Sequence, residues 1–210
     1  MGVSIHYRGR VPEIQNIKAI CDELAAIADR MNWRYTRLDE DWSHATDATI
    51  EVTGQGSRIT GHLPLKGIAL TPHPKCETLQ FFFDADGHLR DPISMVNISE
   101  ETLKPEDFWI CVKTQYAGPE THIWIIGLLK YLKKTHLPDL EVQDEGEYWQ
   151  TGDYEILRKK MDFVGEKIAA VSAELSRVSK GHIERFSADE LASMIEGLVL
   201  HKLDIGNSIH

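Results

Sequence analysis

At 210 residues, with 42% apolar and 27% charged residues, the chain is long enough for a substantial core and has the profile of a soluble globular protein rather than a disordered one. Its formal net charge of -10, from 33 acids against 23 bases, disfavours nucleic acid and anionic membrane surfaces as partners, because a polyanion is repelled over most of the surface. The opening Met1-Gly2-Val3-Ser4-Ile5-His6 lacks the basic region and apolar run of a signal peptide, the longest apolar segment (Ile123–Leu129) is too short to span a bilayer, and the scattered Cys21, Cys76 and Cys111 suit reduced thiols in a cytoplasmic protein.

Val3, Ile5 and Tyr7 alternate with Ser4, His6 and Arg8, the period of a half-buried strand. Pro12 suits the first turn of a helix, and Ile14, Ile17, Cys21, Leu24, Ala28 and Met31 recur at three- and four-residue steps to give it one apolar face. Asn32 is a stop and Trp33–Leu38 returns as a strand, so the chain opens on a βαβ-like unit. Asp39–Asp47 is a polar surface loop. Thr49–Val52 and Ser57–His62 flank Gly54-Gln55-Gly56 as a short hairpin, and Gly67–Thr71 is the next strand. The following Pro72-His73-Pro74-Lys75-Cys76 fits neither a helix nor a central strand. Leu79, Phe81 and Phe83 then alternate before the turn Asp84-Ala85-Asp86-Gly87.

Asp91–Asp107 is weakly patterned, with one helical turn expected over Ser99–Leu103. Phe108, Ile110 and Val112 mark a strand that ends at Gln115-Tyr116-Ala117-Gly118. Pro119 opens a helix whose middle, Ile123–Leu132, is apolar on nearly all sides and therefore expected to be buried. Leu140–Val142 is a short strand leading into an acidic loop. Leu157, Met161, Val164, Ile168, Val171, Leu175 and Val178 repeat at alternating four- and three-residue steps, a helix of about five to six turns. Beyond a polar connection, Ser187 and Glu190 match a capping box, with Phe186 and Leu191 as its hydrophobic staple, and open a last helix to about Leu203. Together these elements predict an α+β domain over residues 1–180, with a mixed sheet flanked by three main helices, and a C-terminal helical appendage over 181–210. The strand–helix–strand connections at both ends imply some parallel pairing.

Four stretches offer chemistry. His73 and Cys76, with two residues between them, can chelate one borderline metal, with His122 as a third ligand; the mixed nitrogen and sulfur set makes zinc the first guess. The bland alternative is a proline turn with a packed thiol. In Gly118-Pro119-Glu120-Thr121-His122, a helix start attracts anions and an imidazole beside a bound anion can move a proton, although Glu120 can itself answer the dipole. Asp144-Glu145-Gly146-Glu147-Tyr148-Trp149-Gln150-Thr151-Gly152-Asp153 supplies hard oxygen ligands and flat apolar walls, against the alternative of a solvated loop before a helix. Asp84-Ala85-Asp86-Gly87 lacks the downstream Glu of a calcium loop and reads as a hairpin turn.

Ser4-Ile5-His6-Tyr7-Arg8-Gly9-Arg10, the Pro72–Cys76 run and Leu140–Asp153 resemble a family of uncharacterised bacterial proteins over roughly residues 1–178. That resemblance transfers no activity or site residue and implies only a small bacterial cytoplasmic protein.

The favoured reading is a small-ligand or metal-binding protein, with or without catalysis. Its polar cleft would lie at strand ends and gather His6, His73, Cys76, Glu120, His122, Asp144, Glu145, Glu147 and Trp149. His73, His122 and at least one of the loop acids are expected to line that cleft. The alternative is a non-enzymatic interaction protein that self-associates, as a homodimer, or binds a partner through its C-terminal helices.

Overall fold

The described residues, 2–53 and 56–179 of a computed structural model, run in the order β1 (Ser4–Arg8), α1 (Ile17–Met31), β2 (Arg34–Asp39), β3 (Thr49–Thr53), β4 (Gly56–Thr60), β5 (Lys66–Thr71), β6 (Leu79–Phe83), β7 (Leu89–Arg90), α2 (Pro92–Ser99), β8 (Ile110–Lys113), α3 (Pro119–Thr135), β9 (Glu141–Asp144), α4 (Tyr148–Thr151) and α5 (Tyr154–Ser179). Gly2–Met161 forms one unit, and the described residues from Asp162 on belong to another. The class is α+β.

Among the described residues the expected parallel pairing does not occur. The strands form a sheet ordered β8-β1-β9, a sheet ordered β2-β5-β6-β7 and the hairpin β3-β4, and every pairing among them is antiparallel. The reason lies in where the connections land. α1 joins β1 to β2, but the two strands enter different sheets. β8 and β9, joined across α3, do run in the same direction, yet β1 lies between them and bonds antiparallel to each.

α1 ends on Asn32 in the left-handed region, at φ 55°, with its N–H returned to the carbonyls of Ala28 and Asp29. Asparagine tolerates that conformation better than most residues, so the stop is chemically natural. The helix buries Ile17, Ile20, Cys21, Leu24, Ala25 and Ala28 and packs against β2 and β5. Ile5 and Tyr7 of β1 meet Phe81, Phe83, Leu24 and the inner face of α3 in one continuous core. The Tyr7 hydroxyl donates to the Gln80 carbonyl at 2.7 Å and accepts the Gln80 N–H at 3.0 Å, tying β1 to β6. Just beyond β1, the Leu89 N–H donates to Gly9 O and the Val11 N–H to Gly87 O, both at 2.9 Å. The two larger sheets are therefore stitched together at residues 9–11.

Two expectations about helices need correction. The weakly patterned stretch holds α2, started by a reciprocal capping box. The Asp91 carboxylate accepts the Ser94 N–H at 2.9 Å, Ser94 Oγ accepts the Asp91 N–H at 3.1 Å, and Pro92 occupies the first turn. α3 is not buried all round: Trp124 and Tyr131 are 49% and 38% exposed, while Ile125, Ile126, Leu128, Leu129 and Leu132 face the core. α5 begins with Leu157 and Met161 buried. The expected C-terminal appendage, with its capping box and the homodimer surface placed on it, lies outside the described residues. No helix among those described is long and apolar enough to cross a membrane.

Candidate functional site

Because β8 and β9 both run antiparallel to β1, their exits lie on one edge of the three-stranded sheet, where Ser4 pairs with Lys113 and Ile5 with Asp144. The turn after β5 reaches the same edge. Glu77 N–H donates to Lys113 O at 3.2 Å, Lys113 N–H to Glu77 Oε2 at 2.7 Å, and the Cys76 thiol to Lys113 O at 3.6 Å. α3 then brings His122 against Asp144. Its Nε2 is 3.0 Å from Asp144 Oδ1, its Nδ1 is 2.8 Å from Thr114 Oγ1, and both the His122 and Asp144 side chains are fully shielded from solvent.

The protons in this corner are constrained. The single Thr114 hydroxyl proton goes either to Val3 O, 3.2 Å away, or to His122 Nδ1. In the first case Nδ1 donates to the Thr114 hydroxyl. Nε2 makes no hydrogen bond of good geometry despite its 3.0 Å approach to Asp144 Oδ1. Asp144 also accepts the Gly146 N–H at 2.7 Å and the Trp149 N–H at 2.8 Å. Burial opposes its ionisation, but the His122 ring and these amides outweigh burial and hold its proton affinity below the usual carboxylate value. Gly146 is required here by close approach: a Cβ would sit 2.6 Å from Leu157 Cδ1 and 3.1 Å from both Asp144 Oδ1 and His122 Cε1.

His122 and Asp144 are therefore enclosed together, and the remaining loop acids have partners of their own. Glu145 Oε2 accepts the Ser4 N–H at 2.7 Å, and Oε1 stands 3.7 Å from His6 Nε2 on the outer face of β1. Glu147, with φ 60°, pairs with Lys160 at 2.7 Å. Glu120 accepts the Tyr154 hydroxyl at 3.3 Å. Trp149 packs on the core, with Lys130 Nζ 5.6 Å above its ring.

The His73, Cys76 and His122 metal set does not assemble. Among the described residues, the group of three donors within 4.8 Å of one another is Asp84, Asp86 and His88, not these three. His73 Nδ1 accepts the Lys75 N–H at 3.1 Å and His122 is enclosed by Thr114 and Asp144. Burial pushes the Cys76 thiol up to about 11. Asp84 in turn serves its hairpin: Oδ1 accepts the Asp86 and His88 N–H groups, and Oδ2 lies 3.2 Å from Arg90 Nε.

Open space occurs elsewhere. A cavity of about 380 Å³ lies between the start of α1 and the paired ends of β2 and β5. Its apolar wall includes Ile14, Ile17 and Leu38, and Trp42 reaches in from the loop after β2. The Trp42 indole N–H is buried without an acceptor, and Lys66 Nζ sits 5.1 Å above the ring. Lys18 and Arg37 line the cavity and share one carboxylate, Asp22, at 2.8 and 2.6 Å, while Lys66 pairs with Asp39 at 2.7 Å. Burial pushes the Cys21 thiol, also in the wall, up to about 11.

No family model, no curated protein and no solved structure matches this chain. The site must therefore be read from its own geometry. Arg37, Lys66 and Trp42 were not singled out by sequence. They lie on three different segments, and the one local signal was a large aromatic stranded in the polar loop Asp39–Asp47.

Proposed function

We propose that this chain is a small-ligand-binding protein, and that its ligand is an amphipathic anion with a flat apolar body, held in the cavity between α1 and the β2–β5 edge. The observation that carries the reading is charge. Two cations, Lys18 and Arg37, share the single carboxylate of Asp22 at the wall of a partly apolar cavity, in a chain whose net charge is -10. The volume is in the range of metabolite-sized pockets, and mixed walls with a few convergent polar groups are the usual form of such sites. A planar Arg fork suits a carboxylate or phosphate, and Trp42 offers a face for a ring. Cys21, with its raised proton affinity, and Asp39, tied to Lys66, supply neither a nucleophile nor a free base, so the arrangement favours binding over covalent catalysis.

The test is calorimetric titration with 1-naphthoate, and with neutral 1-naphthalenemethanol as control. Saturable binding of the anion alone is expected. Arg37→Gln and Lys66→Gln should each weaken it by about tenfold, since each removes one charge-assisted contact. Equal binding of the neutral compound, or no binding of naphthoate at millimolar concentration, would refute the reading.

A further inference from the structure

Another cavity, of about 450 Å³, opens at the far end of β1 from His122, where residues 8–10 leave the sheet beside β7 and the start of β9. Its wall carries charges of both signs. Arg8 and Glu141 are spent on each other through bonds of 3.2 and 2.9 Å, and Arg8 Nη1 also donates to Glu106 O at 2.9 Å. Four other groups keep capacity to spare. Arg90 is only 8% exposed, yet its one carboxylate contact is Nε to Asp84 at 3.2 Å; Nη1 makes long contacts of 3.4 Å to two carbonyls, and Nη2 has no acceptor among the described residues. Arg10 donates through Nε to the Asp86 carbonyl at 2.8 Å and has no carboxylate partner among the described residues. On the acidic side, Asp139 accepts a backbone N–H from Arg10 at 3.1 Å through Oδ1 alone, and the Glu106 carboxylate has no cationic partner among the described residues.

The Arg90 guanidinium lies 5.9 Å from the Phe108 ring, and its Nη2 edge is left for solvent or a ligand to complete. A simple anion would meet Glu106, Asp139 and Glu141 in the same wall, and a simple cation would meet three arginines. A ligand that carries both charges meets neither penalty. We infer that this cavity is a binding site for a free α-amino acid, with its carboxylate on Arg10 and Arg90 and its ammonium group toward Asp139 and Glu106. Phe108, also in the wall, gives the side chain an apolar surface. The site shares no lining residue with the cavity beside Trp42 and stands or falls independently of it.

The experiment is calorimetric titration of the full chain with the twenty common α-amino acids, singly, with glutarate and butylamine as controls that carry charge of one sign only. At least one amino acid should bind with millimolar or better affinity and outcompete both controls. Arg10→Gln and Asp139→Asn should each weaken that binding by about tenfold or more. Both positions lie at the surface, and Asn keeps an oxygen for the Arg10 N–H, so the unliganded unfolding midpoint of each variant should match that of the unaltered chain. Arg90→Gln is set aside because it would strip Asp84 of its cation. No binding by any amino acid at about 10 mM, glutarate binding as tightly as the best amino acid, or unchanged affinity in both variants would each overturn the assignment.

Discussion

At neutral pH the Asp144 carboxylate has the His122 ring 3.0 Å away and two amide N–H groups at 2.7 and 2.8 Å, with no access to water. Its proton affinity is lower in the folded protein than in the unfolded chain, so the linkage has one sign. The stabilisation is fully present above the unfolded carboxylate value, about pH 4, and is lost as pH falls through the lower folded value. Asp144→Asn removes the charge and leaves His122 facing a neutral amide, at a cost on the order of 3 kcal/mol at pH 7. Urea unfolding of both proteins should show this gap narrowing as the pH falls below about 4, because the unaltered protein loses its advantage there. A gap that stays constant with pH would mean the carboxylate contributes through shape alone.

At the scale of elements, the cap on α2 is the clearest local device. Asp91 and Ser94 satisfy each other's backbone N–H groups at the helix start. Asp91→Ala should lower stability by about 1 kcal/mol. If Asp91→Ser restores most of that loss in thermal unfolding, the cap rather than the negative charge is responsible. This helix also shows where the sequence was hard to read. Its cap ends on Ser rather than Glu, and Ile93, Met95, Val96 and Ile98 give no single apolar face. α1, by contrast, was legible because its apolar residues recur on one side and Asn32 ends it. Strand positions were also readable from alternation, as in Leu79–Phe83. Strand partners were not: nothing near Ser4 indicates that Lys113 and Asp144 will flank its strand. The same holds for the sites. That His122 and the acidic loop share an edge follows from strand direction, but their enclosure depends on Leu157 pressing against Gly146, a contact made by the chain turning back through α4.

At the scale of the whole molecule, β1 is held by partners far along the chain. Residue 5 pairs with residue 112 on one side and residue 144 on the other, whereas β5 and β6 pair across a short turn. Contacts of high sequence separation form late because closing the intervening loop costs entropy first. Pulse-labelled hydrogen exchange during refolding should therefore protect the amides of Ile68 and Phe81 before those of Ile5 and Tyr7. Simultaneous protection would show a single concerted step.

For a chain emerging from the ribosome, that arrangement sets a delay. β1 is made well before it can be placed, since β9 is synthesised more than a hundred residues later. Until then the apolar side of Val3, Ile5 and Tyr7 and both of the strand's backbone edges stay available to any other strand nearby. The Ser4, His6 and Arg8 side of the same segment, polar throughout, is what limits premature pairing during that interval.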